Sequence, residues 1–276
     1  MNASVNVNAS ASRDLAQVAL ARAAVRRAVA GSVCYAPEDH IPAPLAPFTH
    51  RYRYLHMSVT TCEETALVVA RRLTTECRAP VVLSFASARN PGGGFRAGAS
   101  GQEESLCRVS ALAACLESPQ VAPFYRAGTQ ASALNTSWMI YSPDVPVWGV
   151  SDGSDGGTWL VSFISCAAPN AKELLRTRTG AGDPEQEIAQ AFDERIHRVL
   201  ALAAARDHAS VVLGAWGCGA FGCDPRMVAA RFHGALTGSF RGAFERVVFA
   251  LSAGRDVLRA FAACFGEAAL GTGARR

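Results

Sequence analysis

Residues 80–104 read PVVLSFASARNPGGGFRAGASGQEE, an apolar run that passes through a glycine-rich loop into a pair of glutamates. Within it Val81–Phe85 opens with three consecutive apolar residues instead of alternating ones, the pattern of a strand covered on both faces. Such a strand sits in the middle of a sheet with helices above and below it. Further candidate strands are Trp138–Tyr141, Leu160–Ser165, Val211–Trp216 and Val247–Leu251, with helical patterns at about 101–117, 184–206, 225–236 and 255–266. Short apolar runs alternating with helices are an α/β signature.

Toward the N-terminus the pattern changes. Residues 1–11 are small and polar, the composition of a disordered tail. Leu15, Val18, Leu20, Ala21, Val25 and Val29 then recur at helical spacing, with Gly31 as a stop signal, so a helix is expected over about 12–30. Residues 41–47 (IPAPLAP) are proline-rich and extended, and Thr61 is placed to cap a second helix running through Arg72. The expected organisation is a tail over 1–11, a helical extension packed on the core over 12–79, and the α/β core over 80–276.

Composition narrows the class. A chain of 276 residues that is 50% hydrophobic can bury one large core. Its formal net charge of +4 comes from scattered basic residues, which suits a polyanionic ligand without requiring one. Nine cysteines without CxxC spacing read as reduced thiols, and arginines interrupt the Ala/Val stretch near the N-terminus, so no secretory signal is expected. No apolar run of about 18 residues occurs to span a membrane. The expectation is a cytoplasmic protein, monomeric, with no membrane partner.

Three successive glycines, Gly92, Gly93 and Gly94, let the backbone approach a ligand closely or adopt positive φ, although a flexible turn explains them equally well in isolation. The sequence that follows adds chemistry. Ser100-Gly101-Gln102-Glu103 has the form of a capping box, followed by Leu106, Val109, Leu112 and Leu116 on one helical face. Glu103 therefore has a structural role available as a cap, whereas Glu104 has none. Neighbouring helical residues point about 100° apart, so one glutamate can hold a hydroxyl while the other faces a scissile bond. Glycosidic cleavage needs a carboxyl group that donates a proton to the leaving oxygen and then activates a water. A helix N-terminus lowers a carboxyl pKa while burial and a second carboxylate raise it, and the latter must win for the acid to hold its proton.

A second loop, Gly214-Ala215-Trp216-Gly217-Cys218-Gly219-Ala220-Phe221-Gly222, runs from a strand to Asp224-Pro225, an N-cap followed by proline at the first helical position. Exposed amides at such a junction form an anion site, here a candidate diphosphate cradle. The same residues contain GxGxxG, but the next strand ends in Ser252 and not in the acidic residue a dinucleotide site requires, and no GxxxxGK[ST] occurs. The six histidines are dispersed without HExxH, so no metal is expected. Cys107 reads as a small core residue and not a nucleophile, and Arg51-Tyr52-Arg53-Tyr54 as an edge strand.

Gly-Gly-Gly, seven residues, then Gln102-Glu103-Glu104, with Asn90-Pro91 before and Ser105-Leu106-Cys107-Arg108 after, resembles the signature of microbial-type poly(ADP-ribose) glycohydrolases. WGCGAFGCDP is similar to that family's second motif, and weaker matches lie at Tyr141–Val147 and Ile164–Asn170, read as rims of the cleft. The resemblance implies a three-layer α/β/α macrodomain-like mixed sheet and hydrolysis of the ribose–ribose bond of poly(ADP-ribose), releasing ADP-ribose from chain ends without a cofactor. It implies Glu104 as acid/base, Glu103 holding the flanking riboses, and Asn90, Gly92, Gly93, Gly94 and Gln102 around the terminal ribose. Gly217, Cys218, Gly219, Ala220 and Phe221 would hold the diphosphate and pack on the ribose. Implied partners are poly(ADP-ribose) and ADP-ribosylated proteins, in the reversal of ADP-ribosylation during a DNA damage response. Phe249 and Phe240 are the candidates for stacking on adenine. Two alternatives stay open: a macrodomain that binds ADP-ribose without cutting it, and a hydrolase of single ADP-ribose units on proteins.

Overall fold

Val81 and Leu83 point to one side of their strand and Val82 to the other, and all three are at most 1% exposed. The same alternation holds for Val211, Leu213 and Val212, and for Val247, Phe249 and Val248. Each of these strands is thus sealed on both faces, as their uninterrupted apolar runs require. A computed structural model describes residues 18–41, 53–76, 79–148, 157–178, 182–252 and 254–266.

Its elements, in chain order, are α1 (18–31), β1 (Val33–Tyr35), β2 (Ser58–Cys62), α2 (Ala66–Thr75), β3 (Pro80–Phe85), α3 (Gln102–Arg108), α4 (Leu112–Leu116), α5 (Ala122–Gln130) and β4 (Met139–Val147). They continue with β5 (Trp159–Cys166), α6 (Ala171–Thr177), α7 (Pro184–Ala205), β6 (Ser210–Leu213), α8 (Pro225–Thr237), β7 (Arg246–Ala250) and α9 (Arg255–Phe265). The seven strands form one sheet in the order β1-β4-β5-β3-β6-β7-β2. From β5 to β2 neighbouring strands run parallel; β4 pairs antiparallel with both β1 and β5. One face is packed by α7, α8 and α9, with Phe192, Phe232 and Phe261 fully buried, and the other by α2 to α5, with Leu73, Leu112 and Phe124. This is the expected three-layer mixed sheet.

The structure departs from the sequence reading at several points. Both edge strands, β1 and β2, come from the segment expected as a helical extension, so the sheet is not confined to the residues after 79. Thr61 lies in β2 and is no helix cap; the helix starts at Ala66 after Thr65. The helix expected over about 101–117 is broken, because Ala111 N–H donates to Pro146 O at 2.9 Å and Val109 O accepts from Trp148 N at 2.8 Å. Tyr141–Val147 belongs to β4, with a bulge between Ser142 and Val145, instead of forming a rim. The tail over 1–11, the start of the first helix, most of 41–47 and the pair Arg51-Tyr52 lie outside the described residues.

Candidate active site

At the carboxyl end of β3 the chain leaves the sheet into the loop 86–101 and returns in α3, and the two are tied together by side chains of α3. Gln102 spans them with two bonds: its Oε1 accepts from Phe85 N–H and its Nε2 donates to Leu83 O, both at 2.9 Å. Both polar atoms of Gln102 are thus committed to β3, and it holds the site together from behind while lining the cavity.

Glu103 is 2% exposed, and its Oε2 accepts from Ser87 N–H at 2.8 Å, with the Gly92 amide also turned toward the carboxyl group. The capping box does not form. Gly101 occupies the N-cap position without a side-chain bond, and Glu103 turns inward beneath the glycine loop because the Ser87 amide there needs an acceptor. Burial, reinforced by the charge of Glu104, pushes the Glu103 pKa up to about 8 against the opposing pull of the Ser87 amide. Its other oxygen, Oε1, is buried without a hydrogen-bond partner.

Glu104 lies on the cavity side, half-buried, and its Oε1 accepts from Gly94 N–H at 3.1 Å. Its carboxyl group is clasped between two glycines: a methyl on Gly93 would overlap Oε1 and one on Gly101 would overlap Oε2. The same methyl on Gly93 would come within 3.2 Å of Glu103 Oε2, so the two carboxyl groups meet at one glycine. Gly92 and Gly93 have φ of +71° and +60°, the left-handed region that favours glycine. Gly94 completes the run by supplying the amide, and Gly128 of α5 lets the helix pack directly on the Ala88 carbonyl behind the loop.

The second loop follows β6. Gly217 has φ of +78°, and a methyl there would stand 2.9 Å from Ala168 Cβ, so only glycine lets this loop lie against the end of β5. Among the described residues the amides of Gly219, Ala220 and Phe221 meet no acceptor. Asp224 caps α8 through Arg226 N–H at 3.0 Å, so free amides for an anion come from the loop and not from that helix end. Trp216 anchors the loop in the core, fully buried, with Nε1 donating to Cys166 O at 3.2 Å.

Between the two loops lies a cavity of about 680 Å³ over the carboxyl ends of the parallel strands, where open α/β sheets bind ligands. Asn90, Gly93, Gly94, Gln102, Glu103 and Glu104 line one side, and Gly217 to Phe221 another. Gly92 does not line it; it is buried against Phe95 and Cys107. Of the two rims expected, only the Ile164–Asn170 stretch reaches the cavity, through Ala168. Phe249 and Phe240 are at most 2% exposed and absent from the lining, so neither can stack on a ligand. The far wall, Ala250, Leu251, Ser252 and Val257, carries no motif of its own; its position at the carboxyl end of the strand Val247–Leu251 is the signal that marks it. Burial pushes Cys107 and Cys218 up to about 12, which leaves both as neutral thiols. Among the described residues no cluster of three or more His, Cys, Asp or Glu could hold a metal ion.

Residues 4–149 match the family model for the catalytic domain of microbial-type poly(ADP-ribose) glycohydrolase. A poly(ADP-ribose) glycohydrolase from Deinococcus radiodurans, solved in complex with ADP-ribose, is similar at 38% identity over 87% of this chain and 96% of its own, with a TM-score of 0.78. The Thermomonospora curvata enzyme is similar at the same identity: bound to the inhibitor ADP-HPD it gives a TM-score of 0.74 over 87% of this chain and 88% of its own. A second structure of that enzyme gives 0.78 over 88% of each chain. No curated protein matches.

Proposed function

The chain belongs to the microbial-type poly(ADP-ribose) glycohydrolases, and from that premise we propose that it hydrolyses the ribose–ribose bond of poly(ADP-ribose) with Glu104 as proton donor and base. The observation that carries the reading is the Glu104 carboxyl group, fixed by the Gly94 amide and two glycines at the cavity side of a buried second carboxyl. Glu104 protonates the 2′-oxygen of the leaving ribose as the glycosidic bond breaks and positive charge grows on the anomeric carbon. The same carboxylate then takes a proton from the water that completes hydrolysis, so the enzyme returns to its starting state. Glu103 hydrogen-bonds the ribose hydroxyls through its unpartnered Oε1. Asn90 and the glycine loop enclose that ribose, the amides of Gly219, Ala220 and Phe221 take the diphosphate, and the wall of Ala250, Leu251, Ser252 and Val257 receives the adenosine.

This reading extends to release from chain ends, and to a monomer acting inside the cell to reverse ADP-ribosylation. Free thiols at all eight described cysteines support the intracellular setting. No helix among the described residues is long and apolar enough to cross a membrane. The test is to offer poly(ADP-ribose) of defined length and a protein carrying single ADP-ribose units, and to separate the products by chromatography. Free ADP-ribose accumulating from polymer while the remaining chains shorten stepwise is the expected result. Release from the mono-modified protein alone overturns it, and oligomers of intermediate length appearing first would refute cutting at ends.

A further inference from the structure

Arg195, on α7, is 2% exposed and is held only by neutral groups. Its Nη1 donates to Ala167 O at 3.3 Å and its Nη2 to Leu134 O at 2.6 Å, while Nε is buried without a partner. Among the described residues no carboxylate lies within ion-pair distance of it. The thiols beside it do not supply the missing charge, because burial pushes Cys166 up to about 12 and Cys223 up to about 11. Burial also lowers the pKa of Arg195 from the usual arginine value, yet an arginine stays charged throughout the neutral range. The one carboxylate whose charge reaches it, Glu194, is exposed and forms no ion pair with it, so water screens that charge. A buried cation without a paired counter-charge is costly, and its cost is relieved when an anion binds nearby.

Its place in the fold says where that anion binds. Arg195 lies one helical turn after Phe192, on the same face of α7. The Phe192 ring packs beneath Gly217, within 3.3 Å of where a methyl on that glycine would stand. The carbonyl bound by Nη1 belongs to Ala167, whose neighbour Ala168 lines the cavity, and Asn135 Nδ2 holds the Ala168 carbonyl at 2.7 Å. The guanidinium therefore lies under the floor of the cavity where the loop with free amides meets the end of β5.

We infer that Arg195 is the fixed counter-charge for the ligand's diphosphate, a positioning residue that acts through the cavity floor without touching the ligand. The inference rests on the proposed reading that the cavity takes ADP-ribose. The apolar side chains of Ala168 and Phe192, both in the buried cluster on this side of the sheet, keep the attraction strong and shield the charge from salt. The loop amides orient the diphosphate and Arg195 supplies net charge that amides lack.

Calorimetric titration of ADP-ribose and of adenosine into wild type, Arg195→Gln and Arg195→Lys tests this. Arg195→Gln should weaken ADP-ribose binding tenfold or more while changing adenosine binding less than threefold, and Arg195→Lys, which keeps the charge, should stay within threefold of wild type for ADP-ribose. Equal ADP-ribose affinity in Arg195→Gln, or an equal loss for both ligands in both variants, overturns the inference. A measurement on wild type alone gives an independent check: between 50 and 500 mM salt the ADP-ribose Kd should change less than threefold, and a tenfold weakening would place the attraction at exposed cations instead. Absence of ADP-ribose binding by wild type would instead strike the reading of the cavity itself.

Discussion

Two adjacent glutamates fold into different surroundings, and the difference supports the separate roles proposed for them. Glu103 is sealed beneath the glycine loop and shifted up to about 8, whereas Glu104 is half-buried on the cavity side with one oxygen on the Gly94 amide. An acid whose pKa is raised on folding binds more protons folded than unfolded between the two values, so it makes stability fall as pH rises through that window. The window for Glu103 runs from the ordinary carboxyl value of 4.5 to about 8. Glu103→Gln, which keeps an acceptor for Ser87 N–H, should therefore remove part of the decline in Tm across that range. Melting curves of both proteins at pH 5 and pH 8 check it, and an unchanged difference between the two pH values contradicts it. Gly93→Ala probes the other carboxyl: the added methyl overlaps Glu104 Oε1 at φ +60°. Turnover should drop by about 100-fold, the order expected when a reacting group is displaced by about 1 Å, while stability falls by only about 1 kcal/mol for a left-handed alanine. Steady-state rates beside thermal melts separate the two effects.

At the scale of elements, the site is a strand end clamped to a helix start. Gln102→Ala leaves Phe85 N–H and Leu83 O without their side-chain partner, which costs about 1–3 kcal/mol per buried group. Lower Tm with kcat reduced and the ADP-ribose Kd nearly unchanged is the expected pattern, measured by melting, kinetics and calorimetry together. The apolar runs of β3, β6 and β7 and the cap at Asp224-Pro225 were legible because each depends on local composition. The break between α3 and α4 was not, since the backbone of 109–111 pairs with the end of β4 some 35 residues on, and a helical apolar pattern carries no trace of that. The capping box failed for a similar reason: a distant amide, that of Ser87, claimed Glu103. Edge strand β1, only three residues long, is stabilised by its pairing with β4 more than by its own sequence. Both glycine loops line the cavity, as their place after strand ends suggests, but the exclusion of Phe249 and Phe240 from it depends on which face of β7 and which layer they pack in.

For the whole molecule, two apolar layers clamp a sheet whose parallel strands all end on one side, and loops from β3, β5, β6 and β7 converge there on one cavity. Each layer fixes a part of the site from below: Trp216 and Arg195 from the α7–α9 side, Gly128 of α5 from the other. This division lets binding and bond cleavage be separated by substitution, because the loop proposed to hold the diphosphate and the glutamates hang from different strands. Glu104→Gln is the most direct test. It keeps an oxygen for the Gly94 amide and removes only the exchangeable proton of the acid, so the loop and cavity stay as they are. With labelled poly(ADP-ribose) as substrate and ADP-ribose calorimetry in parallel, the expected result is loss of ADP-ribose release by a factor of at least about 100, with Kd for ADP-ribose within threefold of wild type. Release at the wild-type rate by that variant would contradict the assignment of the chemistry to Glu104.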